Sequence, residues 1–145
     1  MAITSATLGR RQLKPLHPLH AVLLAATVPL FFGALLSDIA YARSEEIQWS
    51  NFASWLIVGG MVFCGCALVW AAIEMLRSDR RAGQAITYVG LLLATFVFGL
   101  VNALIHAKDA WAIMPEGLIL SIIVAALAIS ATWVGFSSLR AGATT

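Results

Sequence analysis

Three residues of this 145-residue chain are of types that can pass a proton or hold a polar ligand: Asp38, Asn102 and His106. Asn102 and His106 are four apart, so a helix presents both on one side. A carboxylate opposite them can accept a hydrogen bond from Asn102 or His106 and hold the imidazole in one tautomer. If the helices carrying Asp38 and His106 touch, the group forms a pocket for a proton, a quinone or another ligand. The competing reading is interfacial polar glue, the groups satisfying one another or reaching water. A second set, His17, His20 and Glu74, with Gln84 and Thr87 near it, falls near the opposite, inner face. Here Glu74 and Arg77, three apart, read as a helix-end pair, and the two histidines as groups facing lipid headgroups.

Haem is the first cofactor to consider, because two facing imidazoles at one depth supply axial ligands. The depths disagree. His17 and His20 share one helix end, and His106 lies at the other, about 30 Å of hydrocarbon away. No pattern matches a zinc site, a c-type haem attachment, a phosphate-binding loop or a nucleophile elbow. Cys64 and Cys66 diverge by about 200° on a helix and read as apolar filling rather than a metal or disulfide pair. No catalytic residue, metal or resident cofactor is therefore expected, with haem b or a quinone as the one to look for.

The elements that must position these residues are visible in the charge gaps. Four stretches carry no Asp, Glu, Lys or Arg: Pro15 to Ser37, Ile47 to Ile73, Ala82 to Ala107 and Gly117 to Leu139. Each is long enough to cross a bilayer, which takes about 20 apolar residues. With 61% hydrophobic and 11% charged residues, the composition is that of a membrane protein and excludes a water-soluble domain, and nothing in it suggests nucleic acid. We expect an all-α membrane protein, a four-transmembrane-helix up-and-down antiparallel bundle. It forms one domain over 1–145, with spans at about 19–41, 52–76, 84–106 and 115–137 and short tails. Pro18 and Pro115 suit helix starts, Glu116 the positive end of a helix dipole, and Pro29 a kink.

Seven of the nine Lys and Arg residues fall before the first span, between the second and third, or at the end; only Arg43 and Lys108 occupy the other two loops. The positive-inside rule then places both termini and the loop between the second and third spans in the cytoplasm. Tyr41, Trp49, Phe52, Trp55 and Trp111 gather at the outer boundary, and Trp70, Tyr88, Trp133 and Phe136 at the inner one. Arg10-Arg11 before the apolar run and Ala40-Tyr41-Ala42 after it imitate a signal peptide. The core between them is longer than the usual ~7–15 residues, so retention is expected.

Small residues four apart (Gly60 and Cys64, Gly90 and Ala94, Gly99 and Ala103, Ser121 and Ala125) allow close helix packing. Most of this is expected inside the bundle. One face, on helix four through Ala128, Ala131 and Gly135, is the candidate surface for a homodimer or a membrane-protein partner.

The chain resembles the bacterial membrane family known as domain of unknown function 2231. The resemblance rests on His17-Pro18-Leu19, on a first helix ending in Asp38 and Tyr41, on a Gly- and Ala-rich second helix, on a basic turn, and on a closing small-residue helix. It spans residues 14–139. A histidine often opens the third helix in that family, where this chain has Gln84 and Thr87. The resemblance implies an inner-membrane protein, sometimes associated with redox systems, and no established activity. Two functions follow as expectations. The first is a non-enzymatic accessory subunit or anchor in a membrane assembly. The second is a small redox or proton-handling protein built on Asp38, Asn102 and His106; transport by a dimer is a third and lesser option.

Overall fold

His17 starts the first helix by capping it: its Nδ1 accepts the backbone N–H of Leu19 at 3.3 Å, and Pro18 follows in the first helical position. In the computed structural model, which describes residues 17–77, 83–108 and 112–143 and side chains as far as Ser137, four α-helices follow one another. They are α1 (Pro18–Ser44), α2 (Ile47–Arg77), α3 (Gly83–His106) and α4 (Glu116–Ala143). All four are long and apolar enough to cross a membrane, and no strand occurs among the described residues. The basic residues Arg10, Arg11, Lys14, Arg80 and Arg81, together with Pro15 and Trp111, lie outside the described residues.

Three helices run past the ends expected from apolarity, among them α4, which continues from about 137 to Ala143. α1 continues beyond Tyr41 to Ser44, and α2 begins at Ile47 rather than near Phe52. The reason is the cap. Glu45 adopts the left-handed conformation (φ 57°) and returns its N–H to the Tyr41 carbonyl, so two residues, Glu45 and Glu46, reverse the chain. Arg43 and Ser44 thereby extend α1, and the uncharged polar residues Gln48, Ser50 and Asn51 extend α2, beyond the apolar part of each helix. Pro29 lies inside α1, and Pro115, after a cis peptide bond, immediately precedes α4.

Each helix packs on its neighbours in sequence, and α4 closes the square against α1. α1 and α3 are thus diagonal, as are α2 and α4. Polar residues at the two ends are divided by an apolar core of Leu24, Phe31, Cys64, Ala67, Leu92, Val124, Ala128 and Ala131. Phe31 fills the middle because Gly60 makes room; a Cβ at that position would fall 2.7 Å from the ring. Burial of this kind holds helices together in lipid through packing rather than through exclusion of water.

The small-residue face of α4 is consumed inside the bundle. Ser121, Ala125, Ala128 and Ala131 are nearly inaccessible, and Gly135 lies against Leu24 and Tyr88. It is therefore not left over for a partner, because α4 needs it to approach α1 and α3. Of the expected small pairs, Gly90 alone faces open space, with no atom within 4 Å of where its Cβ would be. The cysteines point apart: Cys64 is buried, its thiol 3.7 Å from the Leu92 carbonyl, and Cys66 is exposed on the outer face.

Candidate functional site

Asp38 lies six residues before the end of α1, Asn102 and His106 close α3, and Ser121 lies five residues into α4. At 1.5 Å per residue these positions share one depth. The structure brings all four side chains into a single network. His106 Nε2 lies 2.9 Å from Asp38 Oδ1, Ser121 Oγ donates to Asp38 Oδ2 at 2.5 Å, and Asn102 Nδ2 donates to Ser121 Oγ at 2.9 Å. His106 Nδ1 is 3.0 Å from the backbone carbonyl of Asn102. Asp38 is 0% and Asn102 1% exposed, so the network is closed to lipid and water alike.

The donors and acceptors determine how many protons it holds. A carbonyl can only accept, so Nδ1 of His106 carries a proton. The Ser121 hydroxyl is committed to Oδ2. One proton then occupies the Oδ1···Nε2 contact, either on nitrogen, giving imidazolium and carboxylate, or on oxygen, giving neutral imidazole and carboxylic acid. Both arrangements leave the couple neutral overall, which offsets part of the cost of burying it in a membrane. The couple joins α1 to α3 across the diagonal of the bundle, where the backbones themselves barely meet.

Local features hold the imidazole in place. Gly117, in the first turn of α4, lies against the ring: a Cβ there would come within 3.0 Å of His106 Cε1 and 2.7 Å of Ile113. Just outside, Lys108 Nζ and Glu116 Oε2 pair at 3.4 Å with both side chains exposed, and such a pair contributes little. One atom remains unmatched. Asn102 Oδ1 is buried with no hydrogen-bond partner, an uncommon and costly condition for an amide oxygen.

At the other end, His17 and His20 both lie against Trp70, and Glu74 is near enough to act electrostatically on His20, although no hydrogen bond joins the three among the described residues. His20 is fully buried, not facing lipid headgroups, because its Nε2 meets the hydroxyl of Tyr88 at 2.7 Å and its ring lies beside Trp70. Its Nδ1 has no partner. His17 serves as the helix cap and stacks on Trp70, with ring centroids 5.1 Å apart. Glu74 is exposed on α2 and, among the described residues, forms an ion pair neither with Arg77 nor with a histidine. Gln84 donates to Ser137 at 3.1 Å, and Thr87 returns its hydroxyl to the Gly83 carbonyl, both in exposed positions.

No group of three or more His, Cys, Asp or Glu side chains is placed to hold a metal among the described residues. Both ring nitrogens of His106 are engaged in hydrogen bonds. Sequence reasoning missed Ser121, Tyr88 and Trp70 as site residues. Ser121 counted only as a small packing residue, and the two aromatics only as interfacial anchors. Matching depth was the available signal: Tyr88 lies five residues into α3 and His20 two residues into α1, at the same end of the bundle.

Residues 16–140 match the family model described as predicted membrane protein, domain of unknown function 2231. The chain belongs to this family. In this member of the DUF2231 family the match runs through all four spans. No curated protein and no solved structure matches the chain.

Proposed function

We propose that this protein is a non-enzymatic, proton-responsive component of a bacterial inner-membrane assembly, with the Asp38–His106 couple as its proton-sensing group. The observation that carries the proposal is the buried one-proton contact between Asp38 Oδ1 and His106 Nε2. An ionisable residue inside a membrane bundle is costly, and apolar replacements of buried ion pairs are often as stable, so folding alone does not call for this pair.

The proton count supplies a mechanism. Removing the shared proton leaves the carboxylate facing the Nε2 lone pair; adding a second sets two donors against each other. Either change turns the contact repulsive and loosens the α1–α3 diagonal. The couple thus acts as a latch that closes on one proton. Asn102 Oδ1, buried and lacking a donor, would accept a hydrogen bond from a water or hydroxyl entering the site. By the positive-inside rule the Asp38 end faces outward, so the latch reports the proton activity on that side.

Spin labels on exposed positions of α1 and α3 near Asp38, in protein reconstituted into vesicles, test this reading. The distance should widen when the outer pH moves to either side of the closed range. In Asp38→Asn, whose amide N–H can donate to the bare Nε2 of a neutral imidazole while its oxygen accepts from Ser121, the contact has no shared proton to lose, so the distance should stay constant on the alkaline side. A wild-type distance independent of pH would refute the latch.

A further inference from the structure

A hollow of about 1060 Å³ runs along the outer face of α2, and its lining is almost entirely apolar. Its floor is a stripe of α2 residues, Val58, Val62, Cys66, Val69 and Ile73, at the three-to-four spacing by which one helix packs along another. The walls differ between its ends. Toward the His20 end the wall is Leu19 and Leu23 of α1; toward the Asp38 end it is Phe96, Leu100 and Ala103 of α3. The hollow therefore crosses α2 obliquely, from the α1 side to the α3 side. From Val58 to Arg77 it extends about 28 Å along the helix, nearly the full hydrocarbon thickness of about 30 Å. A lipid chain confined to one leaflet would fill about half of that length, whereas a membrane-spanning helix fills it all.

We propose that α2 of a second copy of this chain occupies the hollow, giving a two-fold dimer with α2 crossing α2 near Gly65 and Cys66. Two copies inserted in the same direction are related by an axis along the membrane normal, so each residue lies at the depth of its own counterpart and each oblique hollow receives the other helix. The charges fit this arrangement. Glu74 and Arg77 both line the hollow at its His20 end, and neither has an ion pair among the described residues. In a two-fold dimer, Glu74 of each copy meets Arg77 of the other, and both charges are matched at the membrane boundary. A foreign helix would need its own acid and base at that depth. A second copy carries them already.

Cys66, exposed at the mid-point, reports the contact directly, and Cys64, buried in the core, serves as its control. Mild oxidation of the full-length protein in native membrane vesicles should produce a covalent dimer that persists in Cys64→Ala and disappears in Cys66→Ala. Glu74→Arg or Arg77→Glu alone should lower the crosslinked fraction about tenfold, and the two together should restore it to within about threefold of wild type. Val62→Trp, which fills the hollow without entering the bundle core, should abolish the crosslink while leaving the helical circular dichroism unchanged. The dimer is overturned if Cys66 reacts with a maleimide yet does not crosslink, or if the crosslink ignores both charge reversals. It is equally overturned if Cys66 joins a different polypeptide, or if native mass spectrometry finds a monomer carrying phospholipid.

Discussion

At the Asp38 end, α1, α3 and α4 are joined by four polar side chains, and the carboxylate accepts from two of them. At the His20 end, among the described residues, one side-chain hydrogen bond, from His20 to Tyr88, joins α1 to α3, with aromatic rings packed around it. The ends are about 27 Å apart along α1, and Leu24, Phe31, Leu92 and Val124 separate them with apolar packing. Both ends bury a histidine, but among the described residues only His106 is hydrogen-bonded to a carboxylate. That difference separates a group able to hold one shared proton from an imidazole held in place by a phenol.

The comparison yields graded expectations. Asp38→Ala removes the acceptor of two buried donors and should destabilise the protein by about 3–5 kcal/mol. Thermal unfolding in detergent checks this, and a loss below about 1 kcal/mol would place the two ends on the same footing. Next in size is the coupling between Asp38 and His106. A double-mutant cycle with Asp38→Asn and His106→Gln should give about 1.5–3 kcal/mol, against less than about 1 kcal/mol for His20→Gln with Tyr88→Phe. Equal couplings would break the distinction.

Gly117→Ala tests the mould around the imidazole without touching a polar group. Its methyl would press on His106 and Ile113, so a cost of about 1–2 kcal/mol is expected, with a spin-label distance across α1 and α3 that no longer follows pH. The smallest effect belongs to Tyr88→Phe, at about 0.6 kcal/mol, the average for hydrogen bonds between membrane helices, with the pH response of the Asp38 end unchanged. A lost response in that variant would mean that the two ends communicate through the core.

Much of the architecture was legible in the pattern of charge. Runs free of Asp, Glu, Lys and Arg must be membrane helices, because only a helix satisfies its own backbone in lipid. The i, i+4 relation of Asn102 and His106 also follows from helix geometry alone. The ends of α1 and α2 were less legible. A helix that leaves the hydrocarbon can continue through charged residues, and the Glu45 cap that stops α1 is a backbone conformation with no apolar signature. His20 was misplaced toward the lipid for a related reason: depth can be counted along a chain, but the facing direction depends on which neighbour a helix meets.

The sequence by itself determined the class of this protein, its four spans and the depth of each polar residue, since all three depend on hydrophobicity and on a fixed rise per residue. Which residues meet was decided only by the tertiary structure. Closing α4 against α1 turned Ser121 from a packing residue into the donor to Asp38, and it turned the face expected for a partner inward. The same closure brought Asp38 and His106 together across the diagonal while leaving α2 with an open face. Contacts between helices depend on rotation about each helix axis, and the packing of all four together sets that rotation.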